Sequence, residues 1–152
     1  MEKGFTLIEF LIVIGIIVIL STFAIPAWDR FMEINRFNGD IMAVEYTINR
    51  AKLTAMSKTT NVGVCVGNNT ILIYDVGFPR GSNPCIGNLL FASVPRGVNT
   101  RISSTGSVIF DPRGFDILLG GTICIYNTEL NTYYRIIISR GAQRVEKGEG
   151  RC

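Results

Sequence analysis

Residues 4–27 read GFTLIEFLIVIGIIVILSTFAIPA, and this stretch decides the fold of the chain. From Phe10 to Ala27 there are 18 residues without a formal charge. At 1.5 Å per residue, a helix over residues 5–27 would span roughly 34 Å, which is enough to cross the hydrocarbon core of a bilayer. We therefore predict that residues 5–27 form a membrane-spanning helix.

One carboxylate, Glu9, lies near the amino end of this apolar run. A charged side chain costs about 2.5–3.5 kcal/mol at the centre of a membrane helix, and less toward the interface. A positively charged partner offsets such a cost. Glu9 is therefore predicted to guide the docking of one helix beside another, and the alternative is a plain anchor with a glutamate at the membrane interface.

The helix is predicted to continue beyond Pro26 as an amphipathic segment over residues 28–58. Apolar residues recur there at spacings of three and four, which is typical of a helix with one buried face. These residues are Ile34, Phe37, Ile41, Val44, Ile48, Ala51 and Ala55. Pro26 removes one backbone hydrogen bond and crowds the preceding turn, so the sequence leaves open whether the helix is continuous there.

Residues 59–152 are predicted to form a β-rich domain, because from Val62 onward the apolar period changes to two, which indicates strands. The predicted strands are Val62–Val66, Ile71–Asp75, Leu89–Val94, Val98–Ser103, Ser107–Phe110, Gly121–Asn127 and Thr132–Ser139. The last residues of the chain look like a basic, linker-like tail. The fold class is therefore α+β, with a long N-terminal helix packed on an antiparallel β-rich domain.

The four cysteines, Cys65, Cys85, Cys124 and Cys152, form no CxxC pair, so a zinc knuckle is not expected. An even count beyond a membrane anchor favours two disulfides over four reduced thiols. Of the three possible pairings we prefer Cys65 with Cys85 and Cys124 with Cys152, because each joins a strand to the irregular segment that follows it. The chain has no histidine and no nucleophile motif, so we expect no enzymatic activity, metal site or cofactor.

The motif G-F-T-L-I-E, followed by an apolar run and Ala-Ile-Pro, resembles the N-terminal signal of type IV pilins and type II secretion pseudopilins. The resemblance implies that residues 1–4 are a leader, that prepilin peptidase cuts after Gly4, and that the new terminus at Phe5 is methylated. It makes Glu9 and Pro26 assembly residues, with the Phe5 ammonium as the partner of Glu9. It also implies a bacterial inner-membrane precursor with its domain in the periplasm, which an assembly platform packs with other pilin subunits.

The second half extends this resemblance. The order Val-Ile-Phe, Asp-Pro-Arg-Gly, Gly-Thr-Ile-Cys-Ile and Tyr-Arg-Ile-Ile-Ile-Ser is similar to minor pilins and pseudopilins of the general secretion pathway H and FimT group. The function implied is a structural subunit of a type IV pilus or a type II secretion pseudopilus. Two alternatives stay open: a major pilin, and a minor pilin that binds DNA through Arg140, Arg144 and Arg151. For the tail itself, the competing interpretation is a solvated segment pinned by Cys152.

Overall fold

The computed structural model describes residues 6–78, 83–118, 120–140 and 142–152. In these parts of the chain one helix, α1 (Leu7–Lys58), precedes eight strands. They are β1 (Val62–Gly67), β2 (Thr70–Asp75), β3 (Asn88–Ser93), β4 (Thr100–Gly106), β5 (Val108–Phe110), β6 (Gly121–Asn127), β7 (Thr132–Ser139) and β8 (Ala142–Glu149). The predicted α+β class is confirmed. The chain divides into two units, residues 1–35 and residues 36–152.

In the first unit, α1 stays helical through Pro26, which answers the question that the sequence left open. Proline cannot donate a hydrogen bond to the preceding turn. Two hydroxyl groups bond to backbone carbonyls just before it: Ser21 Oγ donates to Ile17 O and Thr22 Oγ1 donates to Ile19 O, both at 2.7 Å. The helix therefore continues through Pro26, and the hydroxyl groups of the preceding turns are bonded to backbone carbonyls.

The second unit contains two four-stranded antiparallel sheets. Sheet A has the order β3-β2-β1-β5, and sheet B has the order β4-β6-β7-β8. The β1–β2 hairpin turns at Asn68 and Asn69, whose φ angles are 50° and 59°. Positive φ at both central residues matches the right-handed twist of the strands, and asparagine tolerates it. The two-residue turn sets the register that places Gly67 opposite Thr70.

The core of this unit lies between residues 36–58 of α1 and the inner faces of the sheets. The seam of apolar residues predicted on the helix, which comprises Ile34, Phe37, Ile41, Val44, Ile48, Ala51 and Ala55, is buried from Phe37 to Ala55. Ile34 is 40% exposed. The buried strand residues of the core are Val62, Val64, Ile71, Ile73, Ile102, Val108, Phe110, Ile123, Ile125, Tyr134, Ile136 and Ile138. The apolar residues of the helix and those of the strands therefore pack into a single hydrophobic core.

The prediction of a linker-like basic tail was wrong. Residues 142–149 form strand β8, which pairs along its whole length with β7, from Thr132 opposite Glu149 to Ser139 opposite Ala142. The strand is almost fully exposed and has one bulky aliphatic residue, Val145. It forms because the edge of β7 offers a row of backbone hydrogen-bonding groups, and such an edge accepts a strand whatever its side chains.

The other strands lie close to their predicted places. The largest shift is at β4, which begins at Thr100 rather than Val98 and runs on to Gly106. The predicted Asp111–Gly114 turn is present, since the Gly114 N–H donates to Asp111 O at 2.8 Å. Residues 79–82 of the predicted Gly77–Pro84 loop lie outside the described residues.

Candidate functional site

The apolar segment of α1 presents its side chains to the outside. Across its most apolar 18-residue window the mean hydropathy is 2.8 and none of the residues is buried. By length and composition, α1 is the one helix in the described parts of the chain that could cross a membrane. Such a surface is stable only in lipid or against other apolar helices.

Glu9 lies in the first turn of α1 and is exposed. Its backbone N–H donates to Thr6 Oγ1 at 3.4 Å, so Thr6 caps the helix. The spacing Thr-x-x-Glu is that of a capping box, and a carboxylate in the first turn interacts favourably with the helix dipole. The position of Glu9 in the first turn therefore favours the start of the helix. Gly4 and Phe5, the predicted processing residues, lie outside the described residues.

An aromatic pair follows the apolar segment, and the sequence analysis did not single it out. Trp28 and Phe31 are 63% and 55% exposed, and their ring centroids are 6.1 Å apart. The charged residues Asp29 and Arg30 lie between them. Tryptophan next to charged residues at the end of an apolar run is typical of a membrane–water interface. The aromatic pair could have been predicted from the sequence, because Trp28 lies next to charged residues at the end of the apolar run.

Three polar contacts join α1 to the strands and to the loop between β3 and β4. Asp40 is 2% exposed and accepts hydrogen bonds from the N–H groups of Arg96 and Gly97. The hydroxyl of Tyr134 donates a hydrogen bond to Glu45 Oε1. Burial and this bond raise the pKa of Tyr134 to about 12.

The third contact is the Arg50 guanidinium, which lies 4.3 Å from the centre of the Phe91 ring. Asp40, Glu45 and Arg50 are not among the apolar residues from which the buried face of the helix was predicted. Asp40 lies three residues after Phe37 and four before Val44, so its spacing places it on the seam. That spacing is the signal that could have found it.

Both disulfides lie on the outer faces of the sheets. Cys65 pairs with Cys85 and Cys124 pairs with Cys152, which are the pairings preferred from the sequence. Cys65 and Cys124 belong to the inner strands β1 and β6, and their neighbours Val64 and Ile123 point into the core. Each bond therefore pins an irregular segment across the outside of a sheet.

The three arginines considered for DNA have different surroundings. Arg140 occupies the β7–β8 turn with a φ angle of 42°. Arg144 Nη2 lies 3.3 Å from Glu146 Oε1, and the Arg151 guanidinium lies 5.7 Å from the centre of the Tyr126 ring. Arg144 and Arg151 both contact residues on the outer face of sheet B. Among the described residues, no group of three or more His, Cys, Asp or Glu could hold a metal ion.

An exposed apolar helix that continues into the core of an antiparallel β domain defines a pilin-like architecture. Residues 1–25 match the family model described as the prokaryotic N-terminal methylation motif. The chain therefore has a pilin-like fold and carries the prokaryotic N-terminal methylation motif.

One solved structure supports this fold, and a second is more distantly similar. The type IV minor pilin FimU of Pseudomonas aeruginosa matches with a TM-score of 0.57 and 15% identity, over 76% of this chain and 92% of that chain. The minor pseudopilin EpsH of the Vibrio cholerae type 2 secretion system matches with a TM-score of 0.47 and 10% identity, over 72% and 94% of the two chains. No curated protein sequence matches the chain.

Proposed function

We propose that this protein is a structural subunit of a type IV pilus or a type II secretion pseudopilus and assembles through its N-terminal helix. The observation that carries the proposal is the methylation motif at residues 1–25, together with a helix whose apolar segment contains no buried residue. An isolated subunit has only lipid to cover this surface. Packing beside other such helices covers it as well, and it brings Glu9 a partner of opposite charge.

The processing steps belong to the same proposal. Prepilin peptidase cuts after Gly4, and the new amino terminus at Phe5 is methylated. The Phe5 ammonium and the Glu9 carboxylate then pair within a subunit or between neighbours. The other partners are further pilin or pseudopilin subunits and an inner-membrane assembly platform.

The proposed location is the bacterial inner membrane, with residues 36–152 in the periplasm before assembly. The two disulfides support this orientation, because disulfides persist in the periplasm and are rare in the cytosol. Trp28 and Phe31 suit the membrane–water interface between the apolar segment and the domain.

Glu9→Ala tests the proposal. The variant should be cleaved after Gly4 and should insert in the membrane, but it should be largely absent from sheared filaments or pseudopili, as measured by immunoblotting. Asp29→Ala removes an exposed carboxylate outside the apolar run and is the matched control. Processed Glu9→Ala protein that enters filaments as well as Asp29→Ala protein would contradict the pairing role.

The methylation motif and the fold do not favour either alternative, a major pilin or a DNA-binding minor pilin. Abundance in sheared surface filaments separates a major subunit from a minor one. The DNA alternative depends on Arg140, Arg144 and Arg151, and two of these have partners within the chain. Salt-dependent retention of DNA that disappears when all three are replaced by alanine would support it.

A further inference from the structure

Strand β8 adds almost nothing to the hydrophobic core. Six of its eight residues are exposed, and the other two, Glu146 and Gly148, are half-buried. In the parts of the chain that the structure describes, no residue of the core belongs to β8. An edge strand whose side chains are not buried leaves no cavity in the core when it detaches. The rest of the domain could therefore stay folded without β8.

The side-chain contacts of β8 are weak because they lie near solvent. Glu146 has oxygens 3.6 Å from Arg135 Nη1 and 3.3 Å from Arg144 Nη2. Lys147 Nζ lies 5.2 Å from the centre of the Tyr134 ring. Ion pairs and cation–π contacts at exposed sites contribute little to stability. Backbone pairing with β7 is therefore the main interaction within the sheet that holds β8.

Strand β8 covers the edge of a much more apolar strand. Strand β7 contains three consecutive isoleucines, Ile136, Ile137 and Ile138. An apolar strand with a free edge pairs with other chains, and proteins protect such edges with charged residues. The charged residues of β8 are Arg144, Glu146, Lys147 and Glu149. Detachment of β8 would therefore replace a charged edge of sheet B with an apolar one.

A disulfide holds the far end of β8. After the strand, the chain turns at Gly150, whose φ angle is 90°, and Cys152 is bonded to Cys124 of β6, on the other side of β7. The turn to β7 holds the near end, where Ser139 stands opposite Ala142. Strands open most readily from a free end. While the disulfide is intact, β8 has no free end.

The Cys124–Cys152 bond is accessible from the outer face of sheet B. Cys152 is exposed, Cys124 is 4% exposed, and both line a cleft of about 310 Å³. Arg135 lines the same cleft and stands opposite Cys124 in the β6–β7 register. A nearby guanidinium favours thiolates, which are both the attacking and the departing species in thiol–disulfide exchange. The surroundings of this bond therefore suit its reduction.

We propose that the Cys124–Cys152 disulfide is a redox switch that holds β8 on β7 and releases it when a dithiol reduces the bond. One thiolate of the dithiol attacks Cys152 Sγ, and Cys124 leaves as a thiolate. The second thiolate then displaces Cys152, so the dithiol becomes a disulfide. Two electrons and the two protons of the dithiol pass to the two cysteines. This role goes beyond that of a filament subunit.

Hydrogen exchange of the full chain in detergent micelles, measured by mass spectrometry, tests the switch. The variant Cys65→Ala/Cys85→Ala retains only the Cys124–Cys152 disulfide, so dithiothreitol acts on a single bond. Reduction should lower the protection of peptides from residues 142–149 at least about tenfold. Peptides from β1 and β6 should keep their protection, because β8 contributes no residue to the core.

The two disulfides provide matched variants that need no reductant. Cys124→Ala/Cys152→Ala should show fast exchange in β8 under oxidising conditions, with the Cys65–Cys85 bond intact. Oxidised Cys65→Ala/Cys85→Ala should protect β8 as well as wild type does, because the missing bond belongs to β1 of sheet A.

Three results would overturn the proposal: β8 stays protected after reduction, all strands lose protection together, or loss of the Cys65–Cys85 bond opens β8 to the same extent. The second result would make the Cys124–Cys152 bond a general support of the domain instead of a switch. Filament assembly plays no part in the measurement, so its outcome is independent of the assembly proposal.

Discussion

Asp40, a helical residue that is 2% exposed, holds the backbone of Gly97 in the β3–β4 loop. Its Oδ2 accepts the Gly97 N–H at 3.0 Å, and its Oδ1 accepts the Arg96 N–H at 2.7 Å. A Cβ on Gly97 would lie 2.6 Å from Thr100 Oγ1 and 2.8 Å from Asp40 Oδ2. The glycine thus allows the close approach that lets one carboxylate bind two consecutive amides.

Asp40→Ala should lower the free energy of unfolding by about 2–4 kcal/mol, since it removes two charge-assisted hydrogen bonds and leaves their amide donors without this acceptor. Chemical denaturation of the full chain in a fixed detergent measures the change. Asp29→Ala, an exposed carboxylate on the same helix, is the control and should stay within about 0.5 kcal/mol of wild type. Equal effects of the two substitutions would contradict the anchoring role of Asp40.

The sequence predicted the parts of the fold that bury apolar residues at a regular period. The seam from Phe37 to Ala55 and most strand positions follow from this periodicity, because burial selects the side chains. Strand β8 could not be found in this way, since an exposed edge strand needs backbone pairing more than apolar side chains.

The same limit applies to the sites. The motif around Gly4, Phe5 and Glu9 is local in sequence and could be found there. The outer face of sheet B is formed by residues from four strands, so Arg101 and Arg135 share that face only through the strand order β4-β6-β7-β8. Buried polar contacts such as Tyr134 with Glu45 depend on tertiary packing in the same way.

Tyr134→Phe should change how stability depends on pH in the alkaline range. The pKa of Tyr134 is raised from 10.0 to about 12 by burial and by its bond to Glu45. The folded state therefore holds this proton more tightly than the unfolded state, and the contribution is complete below pH 10 and is lost as pH rises through about 12. As pH rises from 10 to about 12, the free energy of unfolding should therefore fall less in Tyr134→Phe than in wild type.

Phenolate absorbance gives a direct measurement of the same group. Tyr134 should ionise in a late phase in the folded protein, and Tyr134→Phe should remove that phase. Tyr46→Phe, which alters a tyrosine that is 65% exposed, should leave the late phase intact. A late phase that survives in Tyr134→Phe would refute the assignment.

Asp111→Asn should lower the free energy of unfolding most near neutral pH. Burial raises the pKa of Asp111, but hydrogen bonds from the Phe115 N–H and from Arg113, with the Arg113 charge, lower it overall below 3.8. The carboxylate therefore contributes stability above pH 3.8, and this is lost as pH falls through its folded pKa. The difference in the free energy of unfolding between wild type and Asp111→Asn should decrease as pH falls. Urea unfolding from pH 7 to pH 3 measures this difference.

Asp116→Asn should show the opposite trend. Asp116 is 6% exposed and its Oδ2 has no hydrogen-bond partner among the described residues, and burial raises its pKa above 3.8. The folded state thus favours the protonated form, and its contribution is complete below pH 3.8 and is lost as pH rises through the folded pKa. The stability of wild type relative to Asp116→Asn should fall between pH 3 and pH 7, and parallel trends for the two aspartates would contradict their different environments.

Gly63→Ala should destabilise the segment that the Cys65–Cys85 bond holds against β1. A Cβ at Gly63 would lie 2.2 Å from the backbone oxygen of Pro84, which cannot rotate away as a side chain could. The loop or the strand has to move, so the free energy of unfolding should fall by about 1–3 kcal/mol. Gly67, in the same strand, has open space at its Cβ position and provides the matched control.

Denaturant unfolding of both glycine variants under oxidising conditions measures the difference while the disulfides stay intact. Gly67→Ala should lie within about 0.5 kcal/mol of wild type, because its added methyl group meets no atom within 4 Å. Alanine also restricts the unfolded chain at both positions, so this entropic effect cancels in the comparison. If Gly63→Ala is as stable as Gly67→Ala, Pro84 does not lie against β1, and the disulfide alone holds the segment.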